Sequence, residues 1–470
     1  DGRIQTLHPL FCWHGFRYFE TEGPCEVLCV EVIHTDVAVT SSFSCSDPVL
    51  NWLYEAYIRT QLDNYHGCVP SDCPHRERLG YTGDGQLTAE TAMLLLDAKE
   101  LYRKWYQDIL DSQGAETGHI PHTAPFLGGG GGPGGWGCAV YQVPLAWAKI
   151  YGDDSLLVQG YDAILRWFDY MDAHSEKGLV VREEEGGWCL GDWCFPASEE
   201  KEQLPEAFIN TFYYLHGLQE MMQISEKMNN KLPIQFVERE KNVKNAFLDA
   251  YFDPETGDFC EGRAAGNAYG LALGLGDKRT KKHLVEKYEA LERFDTGIFG
   301  TSMLLEQLFS IGAGDLAVRL LTNDSEAASF AHMKRNGATT LWERWDGRES
   351  HNHPMFGACV RLLFTQILGI RMMPAAQPPV VIPTQPDVNT QPTQALKPLN
   401  GELQPPAVPA SAQHFSYEIR LSSQRQLTWA KGSIQTPDGI LSVSWELLEN
   451  GEKQVEWSLA PAGEDKVPTM

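Results

Sequence analysis

Apolar residues recur with a helical period through about 325 residues of the chain, and no strand-like segments alternate with them. A parallel α/β barrel needs a strand before each helix, so this pattern argues against that fold. Roughly a dozen helices in one domain favour paired layers, for which a closed (α/α)6 toroid is the economical arrangement. An open helical solenoid has the same periodicity and remains the alternative.

The first helix is predicted at Ser46-Asp47-Pro48, with Ser46 or Asp47 at the cap and Pro48 in the first turn. The second is predicted from about 85 to 95, with Asp84 in its N-cap position. The remaining helices are predicted at about 100–112, 139–151, 155–174, 205–228, 234–251, 265–276, 280–291, 299–312, 313–322 and 354–370.

Composition changes on both sides of this helical region, which we place at 46–373. Residues 1–45 contain β-forming runs at 16–19 and 25–32 and are predicted to be the tail of a β-sandwich. Residues 374–470 are predicted to comprise a proline-rich linker, to about 410, and a small C-terminal β-sandwich. Its strands alternate by two, with Leu441, Val443 and Trp445 on one face.

The net charge of −25 argues against nucleic acid as a partner, because that binding depends on phosphate neutralisation by Lys and Arg. No run of about 18 apolar residues is present, so no membrane-spanning helix is predicted. A neutral, hydroxyl-rich partner is compatible with this charge, and the 13 Trp and 17 Tyr could pack on sugar rings.

Eleven cysteines are spread through the chain without a regular framework. Cys12, Cys25, Cys29 and Cys45 match no zinc spacing, and Cys29 lies in an apolar run, so we expect buried strand thiols there. Many free thiols favour a reducing, cytoplasmic compartment, and a periplasmic or secreted location stays open.

The segment Asp72–Asp84 holds three acidic and three basic side chains with two glycines and a proline. It has no apolar period, so we expect an irregular loop between helices. Acidic side chains on such a loop are a common way for a rigid scaffold to present catalytic groups. A charged surface loop of structural importance only is the alternative.

Acidic and aromatic side chains recur together at later loop positions. Gly128–Gly137 is glycine-rich but lacks lysine, which excludes a P-loop and leaves a loop that lets Trp136 approach a neighbour closely. Asp192 lies beside Trp193, and Glu343 lies between Trp342 and Arg344. His351 and His353 offer a metal pair without a third ligand, which is a weak metal signal.

Loops at one end of a closed helical toroid converge, which would bring these acids together. Glycosidic bond hydrolysis needs two carboxyl groups, one protonated and one ionised. Aromatic walls exclude water and raise the pKa of the acid. The residue pattern therefore favours a glycosidase.

The segment Asp72–Asp84 closely resembles the signature of glycoside hydrolase family 78, the inverting α-L-rhamnosidases. The resemblance continues in the same order through most of the chain. Its further motifs are Gly134–Gly137, Leu190–Trp193, Gly337–Gly347, Asn352–Gly357 and Leu427–Ser433.

The resemblance implies that Glu77 is the general acid and Glu343 the base that activates water. It implies an L-rhamnose-containing glycoside or oligosaccharide as substrate and no cofactor. The residues expected to bind or surround the sugar are Asp72, Arg76, Tyr81, Asp84, Trp136, Asp192, Trp193, Trp342 and His353.

Because a cation beside Glu77 would lower the pKa of that carboxyl, we expect Arg76 and Arg78 to turn toward other acids, Arg76 toward Asp72 or the sugar. Many relatives carry Trp where Tyr81 stands and Asp where Cys138 stands. These departures leave a same-fold glycosidase for another sugar as an alternative. A carbohydrate-binding relative without catalysis and a metal-dependent hydrolase are further alternatives.

Overall fold

The computed structural model describes residues 4–10, 12–227, 234–324, 328–374 and 415–461. Its helices are α1 (Pro48–Asp63), α2 (Thr82–Leu95), α3 (Lys99–Ser112), α4 (Ala139–Tyr151), α5 (Ser155–Ala173), α6 (Glu206–Lys227), α7 (Ile234–Tyr251), α8 (Gly266–Ala272), α9 (Lys278–Leu291), α10 (Ile298–Ser310), α11 (Gly314–Thr322) and α12 (Phe330–Arg335). Its strands are β1 (Ser41–Cys45), β2 (Tyr65–His66), β3 (Val69–Pro70), β4 (Ser175–Glu176), β5 (Leu179–Val180), β6 (Ile370–Pro374), β7 (Phe415–Ile419), β8 (Trp429–Thr436), β9 (Gly439–Leu447) and β10 (Lys453–Ala460).

The helices form the predicted (α/α)6 toroid, in which alternate helices build an inner and an outer ring. The inner α2 packs against α4 and against the segment Met355–Val360, which also contacts α10. Nearly every residue of α2 is buried, whereas the outer α9 buries only Thr280, Leu284 and Tyr288. This difference follows from the ring, because an inner helix is covered on all sides and an outer helix on one.

The first helix starts as predicted. The side chain of Asp47 accepts hydrogen bonds from the backbone N–H groups of Val49 (2.7 Å) and Leu50 (3.1 Å), and Pro48 occupies the first turn. The start of α2 was predicted wrongly. This helix begins at Thr82, so Asp84 lies inside its first turn and does not cap it.

Helices are present at the predicted positions from 100 to 322, although α8 ends at Ala272. The short α12 was not predicted. The predicted helix at 354–370 is instead a 3-10 helix, Met355–Val360, followed by a π-helical turn, Leu363–Ile367. Gly357 lies in this segment, where an added Cβ would lie 2.1 Å from the Tyr57 ring, so the segment packs closely against α1.

The strands predicted at 16–19 and 25–32 are not formed in the structure. Residues 12–37 run as extended or irregular chain, and apolar side chains such as Leu28 and Val32 are exposed. An apolar alternation makes a stable strand only where a partner strand and a covering layer exist, and neither is present among the described residues. The domain division at 45 therefore stays a prediction.

β1 instead belongs to an antiparallel sheet of order β1-β8-β9-β10, in which Ser42 pairs with Ser433. The predicted inward face of β9 is confirmed, since Leu441, Val443 and Trp445 are all buried. Trp445 donates through Nε1 to Ile367 O at 2.9 Å and so fastens this sheet to the toroid. The predicted linker at 374–410 lies, apart from its first residue, outside the described residues.

All eleven cysteines are free. Cys45 is buried in β1, but Cys12, Cys25 and Cys29 are exposed, which corrects the expectation of buried strand thiols. In the described part of the chain, no helix has the length and apolar character needed to cross a membrane.

Candidate active site

The loop Asp72–Asp84 follows the β2–β3 hairpin and leads into α2. It is closed by Asp72, whose N–H donates to Leu79 O at 3.0 Å and whose Oδ1 accepts from Leu79 N at 2.9 Å. Arg78 adopts a left-handed φ of 58°, which reverses the chain. The loop thereby presents Glu77 with 42% of its side chain exposed, while Asp72 is buried at its base.

A second loop, 342–353, enters the site from the opposite end of the sequence. Glu343 donates its N–H to Ser350 O at 2.8 Å, and Glu343 Oε2 accepts the N–H of Ser350 at 3.1 Å. The turn between them includes Glu349 at a φ of 65°. Glu343 is buried and has its orientation fixed by the backbone of its own loop.

Arg76 connects the two loops. Its Nη2 lies 2.8 Å from Glu343 Oε2 and its Nη1 lies 2.5 Å from Glu349 Oε2. Nη2 is also 4.0 Å from Glu77 Oε1. Arg76 thus turns toward other acids as predicted, but these are Glu343 and Glu349 and not Asp72.

The position of Arg78 differs from the prediction more than that of Arg76 does. Its guanidinium lies 5.4 Å from the ring centroid of Trp13 and donates to Trp13 O at 3.2 Å. The partner is therefore an aromatic ring of the N-terminal segment, and not an acid. Arg78 is thus held at the N-terminal segment, and Arg76 is the cation beside Glu77.

A buried charge cluster lies beneath the two loops. His353 Nε2 is 3.0 Å from Asp84 Oδ1, and His353 Nδ1 is 3.7 Å from Glu343 Oε2. Burial opposes the charge on His353, but Asp84, Cys73 and Glu343 together raise the pKa of this imidazole to about 10. His353 is therefore a cation at neutral pH and compensates the acids around it.

The two proposed catalytic carboxyls lie in different environments. Burial, and then the charge of Asp72, raise the pKa of Glu77, while Arg76 opposes this shift. Glu343 instead accepts two hydrogen bonds, from Arg76 Nη2 at 2.8 Å and from the N–H of Ser350 at 3.1 Å. Chemically, the arrangement can donate a proton from one carboxyl and accept a proton at the other.

Aromatic side chains surround part of this cluster. Trp136 is buried against Gly83, where an added Cβ would lie 2.4 Å from the indole, and its Nε1 has no hydrogen-bond partner among the described residues. The glycine at this close approach is Gly83 of α2, and not one of the glycine-rich loop that was predicted to allow it. Tyr81 is half-buried, and burial together with the charges of Glu77 and Asp72 raises its pKa to about 12.

The other two tryptophans have protein partners. Trp193 lies 5.2 Å from the guanidinium of Arg344, and the Trp342 ring stacks on His351 at 4.6 Å. His351 also lies 2.6 Å from Gly347 O through Nε2, so its ring is held by its own loop. The suggested metal pair of His351 and His353 is not formed, because the two rings have separate partners.

Asp192 was predicted to bind sugar, but in the structure both of its carboxylate oxygens accept hydrogen bonds from the backbone of α10 and the residue before it. Its carboxylate accepts hydrogen bonds from the N–H groups of Gly297 (2.8 Å), Phe299 (2.9 Å) and Gly300 (3.0 Å). Both oxygens are thus used at the start of α10, where three otherwise unpaired donors converge. Burial still raises the pKa of Asp192 to about 6 against these donors.

Two residues were not given roles by the sequence. Glu349 lies six residues after Glu343, and its contact with Arg76 depends on a left-handed turn that the sequence does not reveal. His122 lies 5.6 Å from the Trp136 ring, and burial lowers its pKa to about 4. Cys138, in contrast, is buried and donates to Gly135 O at 3.1 Å, so this departure lies in the core.

Asp72, Cys73 and His353 carry metal-ligand atoms that lie within 4.8 Å of one another. A metal would need a neutral imidazole, whereas Asp84 holds His353 in its protonated form. The donor set therefore fits a proton-bearing cluster better than a metal centre.

Comparison with known proteins defines the class. Residues 38–367 match the model of the bacterial alpha-L-rhamnosidase 6 hairpin glycosidase domain. An alpha-L-rhamnosidase of Streptomyces avermitilis is 30% identical over 410 residues, covering 81% of this chain and 38% of that protein. One from Formosa agariphila is 30% identical over 409 residues, covering 80% of this chain and 43% of that protein.

Solved structures agree. The Streptomyces avermitilis alpha-L-rhamnosidase complexed with L-rhamnose has a TM-score of 0.72 at 26% identity, over 88% of this chain and 37% of that one. The native enzyme from Aspergillus terreus has a TM-score of 0.75 at 23% identity, over 92% and 48%, which shows the fold alone.

The toroid and its paired carboxyl loops thus define a six-hairpin glycosidase. More narrowly, the chain belongs to the bacterial alpha-L-rhamnosidase family. It spans less than half the length of the curated relatives it matches.

Proposed function

We propose that this chain hydrolyses terminal α-L-rhamnose from rhamnosides. The observation that carries the proposal is the pairing of Glu77, whose pKa is raised, with Glu343, which is buried and held by Arg76. Relatives of the same family named alpha-L-rhamnosidase support the identity of the sugar.

In this mechanism Glu77 donates its proton to the glycosidic oxygen as the bond to the sugar breaks. Its partial exposure suits this role, because the leaving group must reach it and then depart. Glu343 takes a proton from a water molecule that attacks the opposite face of the sugar. The product anomer is then inverted relative to the substrate.

Several buried polar atoms are suited to hold the sugar. Asp72 Oδ2 and Trp136 Nε1 are buried without hydrogen-bond partners among the described residues. Unpaired buried polar atoms are destabilising, so atoms of this kind in a site are candidates to bind ligand hydroxyls. We propose Asp72, Asp84, Trp136 and His353 as sugar contacts, with Tyr81 at the wall next to Glu77.

The test is proton NMR of the reaction with an aryl α-L-rhamnoside. Release of L-rhamnose, with the β-anomer appearing first, is the expected result. A Glu77→Gln variant should lose activity by about three orders of magnitude on a poorly activated leaving group while keeping its unfolding temperature. Full activity in this variant would exclude Glu77 as the acid.

A glycosidase for another sugar is the second candidate, and Tyr81 favours it. Its hydroxyl adds a polar group to the wall beside Glu77, where many family members have Trp. A panel of chromogenic glycosides separates the two, and faster cleavage of any sugar other than rhamnose would replace the first proposal.

A further inference from the structure

Glu349 is a non-glycine residue with a left-handed backbone, at a φ of 65°. Such a conformation is unfavourable for a side chain with a Cβ and persists where the surroundings fix it. Here the turn allows Ser350 to exchange two hydrogen bonds with Glu343, at 2.8 Å and 3.1 Å. A glycine would adopt this φ more easily, so the carboxylate is the feature to be explained.

In the described part of the chain, that carboxylate has one cationic partner, Arg76 Nη1, at 2.5 Å. The other end of the same guanidinium, Nη2, lies 2.8 Å from Glu343 and 4.0 Å from Glu77. Arg76 is therefore held by two acids on the 342–353 loop and stops short of a close contact with its sequence neighbour Glu77.

The groups that face Glu77 are Asp72, Arg76, Glu343 and Tyr81. Asp72 and Glu343 are carboxyl groups whose negative charge opposes a second one nearby, Tyr81 is a phenol that its raised pKa keeps neutral, and Arg76 is the cation. The distance from Arg76 to Glu77 therefore decides how readily Glu77 loses its proton. Glu349 lies on the far side of Arg76 and draws the guanidinium the other way.

We propose that Glu349 is a positioning residue that holds Arg76 against Glu343 and away from Glu77, so that Glu77 stays protonated for catalysis. The inference rests on the proposed function, in which Glu77 is the general acid. Glu349 does not itself touch the reacting atoms in this account.

The experiment compares pH profiles of kcat/KM for the full chain with an aryl α-L-rhamnoside. In Glu349→Gln the side chain can still accept a hydrogen bond, but its charge is gone. Arg76 then interacts more strongly with ionised Glu77, whose pKa falls. Because Glu77 acts in its protonated form, the alkaline limb should move to lower pH, by about 0.5–1 unit for this half-exposed carboxylate.

Asp346→Asn is the matched control. Asp346 lies on the same loop, is similarly exposed, and pairs with Arg348 at 2.7 Å instead of with Arg76. The same charge is removed, and the profile should stay that of the parent. Glu349→Asp keeps the charge on a shorter side chain, so its alkaline limb should lie between those of the parent and Glu349→Gln. KM near the optimum should be little changed in all variants.

An unchanged alkaline limb in Glu349→Gln, or an equal shift in Asp346→Asn, overturns the inference. If the parent protein is active, the proposed function still stands in that case. A parent that releases no rhamnose refutes the function instead. In that case the inference is still decided by NMR titration of ¹³C-labelled glutamate, with the Glu77 signal assigned by its loss in Glu77→Gln. A pKa of Glu77 that is equal in parent and Glu349→Gln then refutes it.

Discussion

Asp84 and Asp192 look alike in sequence and differ in the structure. Each follows a glycine and is almost fully buried. Asp84 lies in the first turn of the inner helix α2, and Asp192 lies against the first turn of the inner helix α10. Asp192 uses both oxygens on three backbone N–H groups of α10. Asp84 faces the cationic His353 ring and has Asp72 and Glu343 as charged neighbours.

The difference shows how a buried carboxylate can be assigned a role. Three backbone donors at 2.8–3.0 Å leave Asp192 little capacity to bind anything else. The charge of Asp84 is balanced by the His353 side chain, and in the cluster around it Asp72 Oδ2 has no hydrogen-bond partner among the residues that the structure describes. A ligand hydroxyl can therefore form a hydrogen bond in the Asp84 cluster, whereas at Asp192 it would have to replace a backbone N–H donor of α10.

Within this comparison, the largest effect is expected for a substitution of Asp84. Asp84→Asn should lower kcat/KM on an aryl rhamnoside by about 10²-fold, because a charged sugar contact and the partner of His353 are both weakened. Steady-state kinetics at the pH optimum measures this. Parent activity in this variant would mean that the carboxylate is structural, like Asp192.

Asp192→Asn should act on stability. The amide nitrogen would face an N–H donor of α10, leaving buried donors unpaired, so the free energy of unfolding should fall by about 2–3 kcal/mol. Urea titration followed by circular dichroism measures this fall. At a temperature where the variant is folded, its kcat/KM should match the parent, and a 10²-fold loss would erase the distinction from Asp84.

The charge on His353 predicts a pH dependence. Its folded-state pKa of about 10 lies above the ordinary value of 6.5, so its stabilisation is complete below pH 6.5 and is lost as pH rises through 10. The stability difference between parent and His353→Gln should shrink by about 2 kcal/mol from pH 7 to 9.

Urea titration at each pH measures this difference. His351→Gln is the control, since that exposed ring lies on Trp342, outside the buried cluster. A stability difference that does not change with pH would show that His353 is neutral in the folded protein.

The smallest expected effect concerns an exposed helix cap. Asp47 accepts two N–H groups at the start of α1, whereas Asp192 accepts three at α10, and Asp47 is only half-buried. Asp47→Ala should therefore lower the free energy of unfolding by about 1 kcal/mol, since water can replace the lost acceptor. A loss as large as that of Asp192→Asn would show that burial is not the deciding factor.

The helices were predictable because apolar periodicity is local. Periodicity did not distinguish a closed ring from an open solenoid, and the toroid was preferred only as the economical arrangement. The six-residue α12 has too few turns to show a period. Strand pairing was harder, since β1 was grouped with the N-terminal segment by position, and its partner β8 lies at the other end of the chain. The prediction of strands in the N-terminal segment was wrong, because alternating apolar residues form a strand only where a neighbouring strand can pair with them.

In the site, motifs identified the loops and both proposed catalytic carboxyls, which the structure brings to the same nitrogen of Arg76, Nη2. The role of Asp192 was not predictable, because its donors come from 105 to 108 residues later in the sequence. The contact of Glu349 depends on a backbone dihedral angle that residue type does not indicate.

The pairing of β1 with β8 also has a consequence for synthesis on the ribosome. The Ser42 and Ser433 hydroxyls that meet at 2.8 Å are 391 positions apart. At about 5–20 residues per second, β1 emerges roughly 20–80 s before its partner strand is made. During that delay the nascent strand has few apolar groups to expose, because Phe43 and Cys45 alternate with serines. A strand of this polarity has little tendency to form a sheet with another chain before β8 is synthesised.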